Sequence, residues 1–468
     1  MKFTRILYRY LRPGKAAPTI FSFGLILFIA GMSFSCSSGS ASRNATNVSI
    51  NGDRWLINGE PVLKGTPAEG LLVNVRMVNA VFEDAGKAGE DFLPEHFDPE
   101  ENTNRFIAQI SDYYAHGVRA FTISLQGGLP GYEGAVNSAF NADGSLRETY
   151  LGRVTRVIRA ADEYGVVVIL SCFYQRQHSH QYALDGKDAI RNAVENVAQW
   201  IVHQEFRNVV LEISNEFGHG GYNRWKDGEW VRSVDGQVEL VRHAKTIAPD
   251  LLVSTSGMGG GSFPQPLAEA ADFLLIHFNG TPINLIPERI REARNYGKPV
   301  VCNEDNKIGR MGAEAARVSI KSGAGWGFMH IKKNQSAPFG FDGANDDAIV
   351  YQRLKELTTS GGSIEEIPSE PLSVLITDPL DGDVFDAGEA ITLRANVSGF
   401  EGTDEMEVHF VVNGKLVGKG TKAPWEISWE DADAGKYDVM AAVKSPEGAM
   451  LLRSIPVDFE VAEGKSHP

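Results

Sequence analysis

The chain has 468 residues, more than one ordinary domain holds, so at least two domains are predicted. Apolar residues make up 43% of it, an ordinary globular fraction that excludes a disordered or fibrous chain. The net charge is −15 although all charged residues among the first 35 are Lys or Arg, so the rest of the chain is more acidic still. A body of this charge repels nucleic acid and anionic membrane surfaces, which excludes both as expected partners.

Residues 1–36 have the pattern of a targeting segment. A basic stretch precedes the apolar run 20–34, which is shorter than the span of about 20 residues that a membrane helix needs. Cys36 then follows a small residue and begins a Ser/Gly-rich stretch. This pattern resembles a bacterial lipoprotein signal, which implies lipidation of Cys36, with residues 37–49 as a tether and membrane contact only through the lipid. An uncleaved anchor or a plain secretory signal is the alternative, and each of these predicts export.

The body of the chain begins with two short alternating runs around Asn-Gly turns, SINGDRWLINGEPVLKG, which predict a hairpin. From there to about residue 360, continuous apolar runs alternate with segments that carry apolar residues at helical spacing. The segment between the fifth and sixth runs has the weakest helical pattern. The strand candidates are LLVNVRMV (71–78), AFTISL (120–125), VVVILSCF (166–173), NVVLEI (208–213), LLVSTS (251–256), DFLLIHF (272–278), KPVVCNE (298–304) and GWGFMHI (325–331).

Eight buried strands separated by helices predict an α/β domain, a (β/α)8 TIM barrel over residues 50–360. An open doubly wound sheet is the alternative, but the count of eight and the absence of an early Gly-x-Gly-x-x-Gly turn favour the barrel. Cys172 and Cys302 lie inside apolar runs and are expected to be buried thiols.

A change of composition near residue 360 marks a second domain. Residues 361–371 are rich in Ser, Glu and Pro and are predicted to be a linker. Residues 372–463 contain short alternating strands with evenly spaced turn signals, which predict a small all-β sandwich. The pattern is similar to the bacterial immunoglobulin-like domains appended to secreted polysaccharide enzymes. As an appendage, this domain is expected to be dispensable for turnover of small substrates.

Polar residues stand at the carboxyl ends of several predicted strands, where a barrel carries its active site. The fourth strand ends in Asn215-Glu216, the sixth in His277 and the seventh in Glu304. Strands four and seven face each other across the barrel mouth, so their carboxylates can act as a pair on a glycosidic bond, at a separation of about 5–5.5 Å if configuration is retained. For either residue alone, a solvated carboxylate is the alternative. Glu212 shares the inward parity of Glu216 and is expected to be a hydrogen-bonding residue inside the barrel.

The motifs VVLEISNEF and KPVVCNEDN, with the opening WLINGEPVLKG, resemble the clan A glycoside hydrolases, cellulase-like barrels of the family 5 type. The resemblance implies that Glu216 is the acid/base and Glu304 the nucleophile, that Asn215 bonds the sugar 2-hydroxyl, and that His277 lines the same subsite. It also implies a polysaccharide or oligosaccharide substrate and no cofactor. The chain departs from the family 5 pattern at four positions. Phe217 stands where the family has a Pro, Thr122 where it has an Arg, Phe278 where it has a Tyr, and His330 near the position of an expected Trp.

Further substrate-binding candidates lie at or just beyond the strand ends: Arg76, Asn74, Tyr174, Gln175, Trp225 and His330. An internal ion pair is the competing role for Arg76 and Asn74. Trp225, in the loop after strand four, either stacks on a sugar ring or folds the loop.

Three functions follow from these patterns. The first is an exported retaining glycoside hydrolase, which the intact Glu216 and Glu304 favour. The second is a catalytically inactive carbohydrate-binding surface lipoprotein on the same barrel, which the departures on strands two, six and eight favour. The third, a metal-dependent hydrolase, is not expected, because His178 and His180 lack a third ligand at a convincing spacing.

Overall fold

The computed structural model describes residues 45–85, 97–127, 136–178, 180–337, 339–365, 372–400, 406–430 and 432–463. The predicted signal segment with Cys36 lies outside these residues, as do most of the predicted tether and part of the predicted linker. Within the described ranges, no helix is both long and apolar enough to cross a membrane.

A small antiparallel sheet precedes the barrel. Its strands are β1 (Val48–Asn51), β2 (Arg54–Ile57) and β3 (Glu60–Pro61). The turn between β2 and β3 is Asn58-Gly59, both at positive φ, the conformation that Asn-Gly turns adopt in tight hairpins. Trp55 is buried, with its ring centroid 5.0 Å from that of Phe273, and this contact attaches the sheet to the barrel.

The barrel consists of parallel strands, each of which is paired or bridged to a neighbour on either side. They are β4 (Asn74–Arg76), β5 (Ala120–Ser124), β6 (Val167–Phe173), β7 (Val209–Ser214), β8 (Val253–Ser254), β9 (Leu274–His277), β10 (Val300–Glu304) and β11 (Gly327–Phe328). Six of them pair in the order β11-β4-β5-β6-β7-β8, and β10 pairs with β9. Isolated parallel bridges make the remaining connections. One pairs Ser256, just beyond β8, with Leu275 of β9, and two connect the β10 and β11 segments, Val301 with Gly325 and Asp305 with Phe328. The predicted (β/α)8 fold is confirmed.

Helices surround the strands and bury their apolar faces against them. They are α1 (Pro99–Ala115), α2 (Glu148–Glu163), α3 (Lys187–His203), α4 (Gly228–Arg232), α5 (Val234–Ile247), α6 (Gln265–Ala270), α7 (Ile286–Arg294), α8 (Gly309–Lys321) and α9 (Ala348–Leu357). The short α6 occupies the segment with the weakest helical pattern. A π-helical turn, Ile331–Gln335, follows β11.

A buried polar layer crosses the barrel interior below the mouth. The Asn303 side chain donates to Glu212 Oε1 (3.1 Å) and accepts from Thr122 Oγ1 (2.6 Å), so the internal role predicted for Glu212 is confirmed. Asn74 belongs to this layer as well, since its amide donates to Asn303 and its oxygen accepts from Thr122. With both ends of its amide engaged and no exposed surface, Asn74 supports the barrel and does not face the substrate. Cys172 and Cys302 are buried free thiols, as predicted.

The C-terminal region is a β-sandwich. Its strands are β12 (Ser373–Asp378), β13 (Asp383–Asp386), β14 (Ile391–Ser398), β15 (Glu407–Val412), β16 (Lys415–Gly420), β17 (Trp425–Trp429), β18 (Gly435–Lys444), β19 (Met450–Arg453) and β20 (Val457–Ala462). One sheet has the order β12-β14-β17; the other has the order β13-β20-β18-β15-β16, with β19 on β18. The run LRSIPVDFEV (452–461) predicts one strand, but the structure has β19 and β20 on either side of Pro456, and no alternating run predicts β13.

Candidate active site

The two predicted catalytic carboxylates lie at the carboxyl ends of β7 and β10. Glu216 has φ of +46°, a left-handed conformation that costs energy for any residue other than glycine and that is found disproportionately at functional sites. Its backbone is held there because its N–H donates to Ser256 Oγ (3.0 Å) beyond β8. The side chains of Glu216 and Glu304 are 15% and 9% exposed, so both are accessible from the mouth but largely shielded from water.

Glu216, His277 and Glu304 converge at the centre of the mouth. One carboxylate oxygen of each glutamate and a ring nitrogen of His277 all lie within 4.8 Å of one another. His277 Nδ1 is 3.3 Å from Glu216 Oε1 and 3.7 Å from Glu304 Oε2. Two carboxylates that approach each other this closely can act together at one sugar, as in double displacement, where the carboxyl groups stand about 5–5.5 Å apart.

Arg76 lies against Glu304 at the end of β4. Its Nε is 2.9 Å from Glu304 Oε2, and the arginine side chain is 2% exposed. Its Nη2 also donates to Asn215 Oδ1 at 2.9 Å. Of the two predicted roles for Arg76, the contacts place it in an ion pair, and the partner is the candidate nucleophile. Thr122 on β5 stands where the family 5 pattern has an Arg. In this chain Arg76, on the neighbouring strand β4, brings a positive charge to Glu304.

Asn279, two residues beyond β9, is a second partner of Glu304. Its side-chain amide donates a short hydrogen bond to Glu304 Oε1. Phe278 is fully buried and has no hydroxyl, so Asn279 provides the donor that a tyrosine would otherwise offer. The sequence patterns did not single out Asn279; a polar residue just past a strand end was the available signal.

The pKa values of Glu216 and His277 shift in opposite directions. Burial by itself raises the pKa of Glu216, but the hydrogen bond from His277 and the charges of His277 and Arg76 outweigh it, so this pKa lies below its ordinary value. Burial lowers the pKa of His277, but the charges of Glu304 and Glu216 outweigh it and raise this pKa. Both shifts favour the ion pair in which Glu216 is a carboxylate and His277 carries the proton.

Tyr174 and Gln175 follow β6, and Tyr174 is close enough to Glu304 and Glu216 to feel their charges. Burial raises the pKa of the Tyr174 hydroxyl and the nearby charge of Glu304 raises it further, so the hydroxyl stays protonated. Gln175 is buried, and its side-chain oxygen has no hydrogen-bond partner among the described residues. Both residues thus bring hydrogen-bonding groups to the mouth, as expected of subsite residues.

Trp225 is integrated into the loop after β7. Its ring is buried and packs edge-on against Phe173 and Tyr222, with centroids 5.8 Å and 5.2 Å away. Its N–H donates to the backbone oxygen of Gln175 (3.2 Å). These contacts favour the loop-folding alternative over sugar stacking. The sequence patterns did not predict the part played by Tyr222, whose hydroxyl donates to the backbone oxygen of Asn215 (3.1 Å) and so supports the Asn-Glu pair.

His330 caps the π-helical turn after β11. Its Nδ1 accepts from the Lys333 N–H (3.3 Å), and its ring contacts Phe328. None of its contacts among the described residues is with Glu216, Glu304 or His277, so the geometry does not bring His330 to the catalytic centre.

Two groups of side chains in the described part of the chain bear on metal binding. His180 uses both ring nitrogens in hydrogen bonds, to the Gln177 side chain and to the Tyr182 N–H, so the His-x-His pair is not a ligand set. Within the described ranges, Glu216, His277 and Glu304 are the group whose spacing could hold an ion. A guanidinium 2.9 Å from Glu304 already neutralises that carboxylate and repels a cation.

Comparisons with known proteins give a family for the second domain only. Residues 373–441 match the family described as "Bacterial Ig domain", which confirms the immunoglobulin-like prediction. No curated protein matches the chain in sequence.

Similar solved structures are glycan-degrading barrels and their accessory modules. A tri-modular GH5 (subfamily 4) endo-beta-1,4-glucanase from Bacillus licheniformis is 14% identical over 85% of this chain and 79% of its own, at a TM-score of 0.40. An endo-1,4-beta-mannanase from Rhizomucor miehei is 12% identical over 67% and 99%, at 0.46. The fibronectin(III)-like modules of CbhA from Clostridium thermocellum are 27% identical over 19% and 96%, at 0.18. All three scores lie below 0.5, so a function has to come from the geometry of the site itself.

Proposed function

We propose that this chain is an exported, lipid-anchored glycoside hydrolase that cleaves β-linked polysaccharides or oligosaccharides with retention of configuration. The observation that carries the proposal is the pair of carboxylates at the barrel mouth, within 4.8 Å of each other, of which one is paired with a buried arginine. Lipid attachment at Cys36 rests on the sequence pattern alone.

Glu304 is the nucleophile in this proposal. An ion pair with Arg76 and a hydrogen bond from Asn279 both favour the ionised carboxylate, which is the form that attacks. One Glu304 oxygen forms a bond to the anomeric carbon as the bond from that carbon to the leaving oxygen breaks. The leaving oxygen takes a proton from Glu216, so charge and atoms balance without a cofactor.

Glu216 is the acid/base, and His277 supplies the proton that it uses. In the free protein the proton is on His277, whose Nδ1 donates to Glu216. A bound sugar excludes water from Glu216, and added burial favours a neutral carboxyl, so the proton moves toward Glu216 before it passes to the leaving oxygen. In the second half-reaction the oxygen of a water molecule bonds to the anomeric carbon while Glu216 takes a proton from that water, and the bond from the anomeric carbon to the Glu304 oxygen breaks.

The binding-protein alternative loses most of its support in this arrangement. It depended on the arginine absent from strand two, the tyrosine absent from strand six and the altered end of strand eight, of which the first two concern Glu304. Arg76 and Asn279 reach Glu304 from neighbouring positions and supply both missing interactions.

Hydrolysis of a panel of β-linked polysaccharides tests the proposal. The wild type is expected to release reducing ends from at least one glycan, and Glu304→Ala and Glu216→Ala are each expected to lose at least about 1,000-fold in kcat, as loss of an essential catalytic group does. Glu212→Gln, which removes a buried carboxylate of the barrel interior, is the control for general disturbance. Activity that survives both alanine substitutions would contradict the assignment, and measurable glycan binding without hydrolysis would favour the inactive lipoprotein.

A further inference from the structure

The immunoglobulin-like domain contacts the barrel at the active-site face. The β18–β19 hairpin, which consists of these two strands and the turn 445–449, lies against two loops that leave the barrel mouth, one after β9 and one after β11. Met450 donates its backbone N–H to the Asn279 backbone oxygen (3.2 Å), and Asn284 donates its side-chain amide to the Arg453 backbone oxygen (3.0 Å). On the other side, Lys332 pairs with Glu447 at 2.9 Å.

The hydrogen bond from Met450 is made to Asn279, which is itself a hydrogen-bond partner of the candidate nucleophile Glu304. Asn279 is fixed from two sides, because its backbone oxygen accepts from Met450 while the next N–H, of Gly280, donates to Gly259 in the barrel (3.0 Å). A peptide held in this way limits the directions in which the Asn279 side chain can point. That side chain points at Glu304 Oε1.

The ion pair between Lys332 and Glu447 is connected to Arg76, the other partner of the candidate nucleophile. Lys332 belongs to the π-helical turn after β11, and Gln335 of the same turn donates its side-chain amide to the Arg76 backbone oxygen (3.0 Å). Arg76 in turn holds Glu304 Oε2. Both groups that keep Glu304 in place are therefore supported by segments that the hairpin touches.

We propose that Asn279 is a positioning residue for Glu304 and that the β18–β19 hairpin of the immunoglobulin-like domain holds it in position, so that this domain is a working part of the active site. The proposal rests on the proposed function of Glu304 as nucleophile. It replaces the expectation that the domain is a dispensable appendage, because loss of the hairpin frees the loop that carries Asn279.

A change at Asn279 should move the ionisation of Glu304. The ionisable groups that face Glu304 are Arg76 from β4, Tyr174 beyond β6, Glu216 beyond β7 and His277 from β9, and all of them stay in place in Asn279→Ala. Loss of one hydrogen bond to a charged carboxylate is expected to shift the acid limb of kcat/KM upward by about one pH unit. We expect kcat to fall about tenfold near the acid limb, with KM nearly unchanged, because the hydrogen bond acts on the nucleophile and not on the substrate.

The contribution of the domain is tested in the full-length chain with Met450→Pro, which removes the N–H that Asn279 accepts and alters no atom of the barrel. Proline is tolerated at the first residue of a strand. Glu447→Ala, which breaks the ion pair with Lys332, is a second variant that leaves the backbone intact. Both are expected to shift the acid limb in the same direction as Asn279→Ala and by less. Lys419→Ala, which breaks an ion pair with Glu407 inside the sandwich (3.0 Å), is the matched control and is expected to shift nothing.

A second readout separates this inference from the proposed function. The pH dependence of Glu304 modification by a water-soluble carbodiimide, followed by peptide mass spectrometry, reports the ionisation of this carboxyl without any turnover. If the wild type cleaves no glycan but Asn279→Ala still shifts the modification profile, the function fails and the positioning role stands. An unshifted profile in Asn279→Ala overturns the positioning role. A shift in Asn279→Ala together with none in Met450→Pro and Glu447→Ala overturns the role of the domain.

Discussion

Replacement of Arg76 by methionine is the most informative single change in the barrel. At 2.9 Å and an effective dielectric constant near 20, the attraction between Arg76 and Glu304 is about 6 kcal/mol, part of which offsets the cost of burying both charges. Removal of one partner from a buried pair typically costs about 3–5 kcal/mol, since the other charge stays buried. Glu304 keeps Asn279 as a partner, so part of the stabilisation of its charged form remains in the variant.

The assay is the pH dependence of kcat/KM on the best glycan of the panel, with thermal unfolding measured in parallel. Arg76→Met is expected to move the acid limb upward by about 1–3 pH units, so that activity at pH 5 falls by about tenfold or more, whereas activity above the new limb recovers in part. Arg153→Met is the control, because Arg153 is equally buried but pairs with Glu83 and Glu100 and not with the candidate catalytic residues. It is expected to lower the melting temperature without moving the limb.

An acid limb that stays in place in Arg76→Met would refute the reasoning. It would mean that the ion pair does not control the ionisation of Glu304. Equal shifts in Arg76→Met and Arg153→Met would also contradict it, because a general loss of stability would then explain the change.

Four further outcomes are expected. His277→Gln moves the alkaline limb of kcat/KM to lower pH. In the wild type the pKa of His277 is raised above its ordinary value of about 6.5, so this residue keeps its proton to higher pH. An unmoved limb would exclude proton supply by His277. Asn215→Ala lowers kcat/KM roughly 10- to 100-fold by loss of a sugar contact, whereas 2-deoxy substrates show little difference between variant and wild type. Trp225→Ala lowers the free energy of unfolding by about 3–5 kcal/mol, and a raised KM at unchanged stability would instead indicate sugar stacking. Cys36→Ser moves the protein from the membrane fraction to the soluble fraction, and retention in the membrane would argue for an uncleaved anchor.

The barrel could be predicted from the sequence because its strands are long apolar runs at regular intervals. The runs overstate the strands, however, since 71–78 contains only the three residues of β4 and 325–331 only the two residues of β11. Apolarity marks what is buried, but hydrogen-bond registry decides what is strand. In the sandwich, β13 is half-exposed and pairs with a strand far along the chain, so no local pattern marked it.

The candidate catalytic pair could be singled out as well, because Glu304 ends a strand and Glu216 stands just beyond one. The residues that control them could not be ranked from sequence. Arg76 and Asn74 stand two positions apart on the same strand, yet Arg76 reaches Glu304 while Asn74 is engaged in the layer below. Asn279 gave only the weak signal of a polar residue just past a strand end, because its contact with Glu304 depends on the direction of the loop that carries it. Contacts between residues remote in sequence are decided by packing, which a linear pattern does not record.

The most direct test of the proposed mechanism is to trap the covalent intermediate. Incubation with activated 2-deoxy-2-fluoro β-glycosides, chosen to match the glycan that the wild type cleaves, is expected to leave one fluorosugar on the protein. Peptide mass spectrometry is expected to locate it on Glu304, with no labelling of Glu304→Ala. A label on another residue, or turnover of the glycan with inversion at the anomeric carbon, would contradict double displacement by Glu304 and Glu216.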